Sequence, residues 1–98
     1  MRVKPFITER AFAAQVLDLA KLLGWRCYHS WTSIHSPAGY PDLCMVRLSR
    51  ILFAELKSEK GKLTPPQEEW LEALRATGKV EVYVWRPGDW DILVEILR

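Results

Sequence analysis

The chain has 98 residues, 49% of them hydrophobic and 27% charged. That length holds one hydrophobic core and no second one, so residues 1–98 read as a single domain. The net charge of +2 hides an asymmetry: residues 1–62 carry ten Lys/Arg against five Asp/Glu (+5), and residues 63–98 carry four against seven (−3). The first two-thirds can therefore meet a polyanion.

No signal peptide, membrane-spanning run or low-complexity tract is present, which leaves a cytoplasmic protein as the expectation. Cys27 and Cys44 lack CxxC or histidine spacing, so they read as buried reduced thiols rather than zinc ligands or a disulfide framework. Five tryptophans are many for this length and can enlarge a small core or serve an interface.

Residues 1–7 form a short basic arm. Thr8 can cap a helix running to about Leu23, with Gly24 as its stop. Phe12, Val16, Leu19 and Leu23 recur at helical spacing, and Glu9 falls on the same stripe. Trp25 to about Ser36 is aromatic and β-branched and reads as a strand. A loop follows at Ser36-Pro37-Ala38-Gly39-Tyr40-Pro41. Asp42 to Val46 and Ile51 to Lys57 then form a hairpin around Arg47-Leu48-Ser49-Arg50.

After a charged loop with Lys60-Gly61-Lys62, Thr64-Pro65-Pro66-Gln67 opens a second helix with capping-box spacing. Trp70, Leu71 and Leu74 make its inner face, and Gly78 ends it. Val80 to Trp85 is a strand, Pro87-Gly88-Asp89 a turn, and residues 90–98 a terminal helix capped by Asp89, with Ile92, Leu93 and Ile96 inward. The predicted fold is α/β, in the order α-β-β-β-α-β-α, with a small mixed sheet flanked by helices. A right-handed crossover makes the strands either side of the second helix parallel.

Two segments carry chemistry: Gly39-Tyr40-Pro41-Asp42 and Glu55-Leu56-Lys57. Glu55 and Lys57 lie two apart on a strand and so project from one face. With Asp42 on the neighbouring strand, two carboxylates stand beside one ammonium. Such a group suits metal-assisted attack of water on a phosphodiester: the carboxylates hold a hard divalent cation and the lysine orients the water. A solvent-facing edge-strand pair is the plainer reading of Glu55 and Lys57. The apolar run Phe53-Ala54-Glu55-Leu56 feeding a β-α-β unit instead predicts a central strand, where such charges need a partner or an ion. Glu9 also fits a first-turn acid facing the helix dipole, and Gln67 fits the capping partner of Thr64.

These segments form the Pro-Asp…Glu-X-Lys pattern of the restriction-endonuclease-like PD-(D/E)XK superfamily. Together with the Glu9 helix, Leu63-Thr64-Pro65-Pro66-Gln67 and Gly78, the chain resembles the VRR-NUC (virus-type replication-repair nuclease) domain over nearly its whole length. The resemblance implies a restriction-endonuclease-like core and a Mg²⁺- or Mn²⁺-dependent endodeoxyribonuclease, structure-specific for branched, flap or junction DNA. It implies DNA repair or recombination as the setting. Asp42 and Glu55 would bind metal with the Leu56 carbonyl, Glu9 would assist the metal site, Lys57 would be catalytic, and Gln67 would belong to the site surround. Standalone members of the family are small viral or bacterial proteins, often dimeric, so a homodimer is expected.

Lys60, Lys62, Tyr40 and His35 are the candidate DNA contacts, with solvated-loop or strand-face roles as their plainer alternative. His29 reads as a strand-face residue; Trp31, Trp85 and Trp90 read as core or interface. Two other function classes fit the chain: a non-catalytic nucleic-acid-binding module on the same fold, and a protein-interaction domain using the tryptophans. Metal-dependent cleavage separates the first from the second, and absence of DNA binding singles out the third.

Overall fold

The computed structural model describes residues 7–30 and 37–98. The basic arm up to Phe6, Trp31 and His35 lie outside the described residues. Thr8 opens the first helix as its side chain predicts: its Oγ1 accepts from the Ala11 N–H at 3.1 Å, and α1 runs Glu9–Leu22. Gly24, at φ +90°, turns the chain out of it. The buried stripe is Phe12, Ala13, Val16, Leu17 and Ala20, with Leu19 and Leu23 only half-buried at its margin. The expected stripe was thus rotated, because it counted large side chains. Ala13 and Ala20 are the positions where the helix backbone closes on the sheet.

Strands β1 (Arg26–His29), β2 (Leu43–Arg47), β3 (Arg50–Leu56) and β4 (Glu81–Trp85) form one sheet in the order β1-β2-β3-β4. The first two pairings are antiparallel and β3 pairs β4 in parallel across helix α2 (Pro65–Ala76). That is the predicted β-α-β unit, and it makes β3 central. β1 ends at His29, earlier than expected, although Ser30 N–H still donates to the Asp42 carbonyl at 3.0 Å.

Alternation along the strands buries Leu43, Met45, Leu52, Ala54 and Leu56 in one cluster with Phe12 and Val16 of α1. Each large side chain buried there contributes about 1.5–3 kcal/mol of transfer free energy. Leu93 and Leu97 of the C-terminal helix α3 (Trp90–Leu97) join the same cluster. On the other face Tyr28, Val46 and Ile51 remain 65%, 40% and 43% exposed.

One expectation about α3 fails and another holds only in part. Ile92 is exposed, because Leu93 and Leu97, four residues apart, set the buried line. Asp89 holds the N-cap position of α3 but makes no side-chain bond to it: its Oδ2 accepts from the Arg86 N–H at 2.9 Å and closes a 3₁₀ turn over Pro87–Asp89. Trp25 and Trp85 are core residues, and Trp90 packs half-buried against them.

Arg47 closes one end of the sheet. Its guanidinium lies 4.7 Å over the Trp25 ring and donates to the Leu23 and Leu97 carbonyls at 2.9 and 2.8 Å. The opposite end, where the chain enters β2 and leaves β3, carries Asp42, Glu55 and Lys57.

The β2–β3 hairpin turns through Leu48 and Ser49, between the paired Arg47 and Arg50. Leu48 sits at φ 55° and is 94% exposed, so an unfavourable backbone state is not offset by burial. Leu48→Asn places a residue tolerant of that region there. It should raise stability by about 0.5–1 kcal/mol, read as a higher denaturation midpoint at constant m.

Candidate active site

Asp42 is delivered by a loop built to seat against α2. Gly39 has φ +87°, and a Cβ added to it would lie 2.4 Å from the Pro66 carbonyl carbon and 2.7 Å from the Gln67 nitrogen. Only glycine combines that backbone with that approach. Tyr40 then packs edge-on against Trp70 at 5.0 Å and Phe53 at 6.3 Å, and Pro41 is fully buried. Tyr40, a candidate DNA contact, therefore also anchors the loop, with 37% of its surface exposed.

One step beyond the Leu43–Ala54 pair, Asp42 stands across from Glu55. Asp42 Oδ2 accepts the Leu56 N–H at 2.8 Å. In an extended strand a residue's N–H and C=O point to the same side, so the Leu56 carbonyl also faces the Asp42 strand. Glu55 is 2% exposed and Lys57 8%, as a central strand requires. The Lys57 Nζ lies 4.0 Å from Glu55 Oε2, an ion pair at the limit of contact.

Gln67 joins this group from α2. Its Oε1 accepts the Thr64 N–H at 2.9 Å and its Nε2 donates to Glu55 Oε2 at 3.0 Å. Both sequence readings of Gln67 thus hold as contacts: it completes the capping box and touches the acidic pair. Glu55 Oε1 is buried and receives no hydrogen bond. Burial first, then the adjacent Asp42 carboxylate, push Glu55 up to about 8, with Lys57 opposing.

Glu9 is exposed, contrary to the expectation that it points into the sheet. It sits one turn before Phe12, past the end of the packed surface. It nonetheless lines a cleft of about 240 Å³ together with Asp42 and Leu56. Its charge adds to the forces that raise Glu55.

Sequence reasoning missed three other residues of this cleft: Arg10, His29 and Ser30. Burial lowers His29, opposed by the Asp42 charge. The available signal was that the end of β1 must adjoin the start of β2 in a meander. Lys60 and Lys62 are exposed on the loop after β3, and Arg86 holds that loop in place. Its Nη1 donates to the Ser58 and Gly61 carbonyls at 2.8 and 2.6 Å. Glu59 Oε1 accepts the Gly88 N–H at 2.8 Å. Nothing local in the sequence marks Arg86 for this role.

The donor set fits a hard divalent cation. An orphaned buried carboxylate oxygen, a second carboxylate and a main-chain carbonyl converge at one sheet end, all oxygen ligands. Among the described residues, no three His, Cys, Asp or Glu side chains form a metal cluster by themselves. The carbonyl and solvent would have to complete the coordination.

A four-stranded mixed sheet between helices, with an Asp–Glu pair and a lysine at one end, is the restriction-endonuclease-like class of nuclease fold. The VRR-NUC domain model matches residues 5–86, and the chain belongs to that family of nuclease-type domains. A solved structure described as a VRR_NUC domain is similar at 26% identity and TM-score 0.73, covering 91% of this chain and 97% of its own. Another, a VRR_NUC domain protein, shares the fold at 23% identity and TM-score 0.71, covering 93% and 85%. No curated protein matches the chain. Among the described residues, no helix is long and apolar enough to cross a membrane.

Two outcomes follow from the geometry. Gly39→Ala forces the loop off α2 and should cost about 2–4 kcal/mol, lowering Tm by roughly 10 °C or more in a thermal melt. The second concerns pH. The folded value of Glu55, about 8, lies above the ordinary 4.5, so folding favours its protonated form. That contribution is complete below about pH 4.5 and is lost as pH rises through about 8. In chelator, wild-type Tm should fall across this window by the equivalent of on the order of 5 kcal/mol, whereas Glu55→Gln should follow a flatter profile.

Proposed function

We propose that this chain is a Mg²⁺- or Mn²⁺-dependent endodeoxyribonuclease. The observation that carries the reading is the orphaned Glu55 Oε1 beside Asp42, at a sheet end with Lys57 on the same strand face. Asp42, Glu55 and the Leu56 carbonyl would hold the cation, and Glu9 at the cleft rim would reach its water shell or a second ion. A bound cation would supply Lewis acidity at the phosphoryl oxygen and a water of lowered pKa. Lys57 donates a hydrogen bond that positions the attacking water. Gln67 fixes one Glu55 oxygen and leaves the other for the ion. Lys60 and Lys62, on the loop braced by Arg86, contact the DNA backbone.

Structure preference suits this surface better than sequence preference. The exposed cations on the loop after β3, Lys60 and Lys62, are backbone-type contacts. Branched, flap or junction DNA is the proposed substrate, and repair or recombination in the cytoplasm of a bacterium or infected cell the proposed setting. A homodimer is proposed as well. The half-exposed apolar face of Tyr28, Val46 and Ile51 supports it, and light scattering over a dilution series tests it.

Cleavage of linear, nicked, flapped, single-stranded and four-way-junction DNA, in Mg²⁺, Mn²⁺ or chelator, tests the reading. Cutting should require the metal; binding without cutting under every condition identifies a non-catalytic module instead. Asp42→Asn and Glu55→Gln keep shape and should each reduce cleavage by about 10²–10³-fold or more. Lys57→Ala should lower the single-turnover rate by a similar factor while DNA affinity in Ca²⁺ changes less than about threefold, since affinity is spread over several phosphate contacts. Equal losses in rate and affinity make Lys57 an ordinary phosphate contact.

A further inference from the structure

On the α2 side the Glu55 carboxylate is covered by Gln67. Glu55 itself does not line the cleft on the α1 side, but its neighbours Asp42 and Leu56 do. They front onto its volume of about 240 Å³, which among the described residues is also lined by the polar Glu9, Arg10, His29 and Ser30. The cleft is chemically divided. Glu9 and Asp42 contribute carboxylates, whereas Arg10 contributes a guanidinium and Ser30 a hydroxyl.

A strand of DNA brought to the acidic pair meets repulsion from these carboxylates, only part of which a bound cation offsets. A cation lining the same cleft adds to that offset. Arg10 stands in the first turn of α1, beside Phe12 and Ala13, which are buried in the core. Its planar fork of donors matches the oxygens of a phosphodiester in a way a lysine does not. Ser30 is tied to the acidic strand, its N–H donating to the Asp42 carbonyl at 3.0 Å, and the residue lines the cleft beside Asp42.

We propose that this cleft is a phosphate subsite, in which Arg10 and Ser30 hold a backbone phosphate of the substrate strand beside the acidic pair. The assignment deepens the nuclease reading and rests on it for the identity of the ligand. Arg10 then contributes affinity as well as alignment, and it contributes one term to the salt dependence of binding.

The test is equilibrium binding of a single-stranded and a junction DNA to the Ca²⁺-loaded protein, over a range of salt. Arg10→Gln should weaken binding about 5–10-fold, irrespective of base sequence, and lower the slope of log K against log salt by about 0.7–0.9, one phosphate contact. Arg10→Lys should keep the slope and recover only part of the affinity. An unchanged slope with a lowered Tm assigns Arg10 to an internal ion pair and overturns the subsite. A second measurement needs no variant. Thymidine 5′-monophosphate added with Mg²⁺ should shift the amide resonances of Ala13 and Ser30 in the wild-type protein; shifts confined to the Lys60–Lys62 loop overturn the proposal. The outcomes separate from those for catalysis. An Arg10-dependent slope in a protein that cuts nothing retains the subsite and removes the nuclease. Cleavage with an Arg10-independent slope does the reverse.

Discussion

The hydrogen bond from the Leu56 N–H to the Asp42 carboxylate is the contact on which the rest of the site depends. It joins the first residue before β2 to the last residue of β3, at 2.8 Å, and so sets the register at the sheet end. With that register, Asp42 stands opposite Glu55, and the Leu56 carbonyl turns to the same side. A shift of one residue would carry Glu55 and Lys57 to the other face. The strand carrying them is central, so both side chains are buried rather than solvated. Charged groups in such a place need partners. One Glu55 oxygen has Gln67 and Lys57; the other has neither.

The second helix acts on this pair through one side chain. Gln67 is satisfied at both ends, by the Thr64 N–H and by Glu55, so the start of α2 and the acidic centre move as a unit. Gly39 couples the loop before Asp42 to the same helix start, because nothing larger than hydrogen fits against Pro66. Asp42 is thus fixed from two directions: by β3 through its carboxylate, and by α2 through its loop. At the far end of the sheet, Arg47 gathers the ends of α1 and α3 over Trp25, which leaves the site end open to a ligand.

Most of this arrangement was legible from side chains that signal locally. Thr8 and Thr64 announce helix starts, alternation marks β2 and β3, and the Asp42, Glu55 and Lys57 pattern marks the charged end of the sheet. The paired roles of Gln67 were legible for the same reason, since capping and site contact use opposite ends of one amide. What escaped notice depends on packing. The inward face of α1 includes Ala13 and Ala20, whose small size conceals their burial. Glu9 belongs to the stripe by spacing alone, but lies beyond the sheet that the stripe covers. Ile92 is misplaced because Leu93 and Leu97 set the buried line of α3, and the Asp89 side chain bonds back to Arg86 within the 3₁₀ turn rather than to the helix. Arg86 and the Arg10–Ser30 cleft arise only when distant segments meet.

The central claim is that the buried acidic pair is the seat of a divalent cation. If so, binding must displace the proton that burial and Asp42 hold on Glu55 near neutral pH. Calorimetric titration of the protein with Mn²⁺ at pH 7, repeated in buffers of different ionisation enthalpy, measures that proton directly. The account predicts saturable binding with release of close to one proton per site, and loss of that release in Glu55→Gln. Absence of saturable binding, or binding left unchanged in Glu55→Gln, would contradict it.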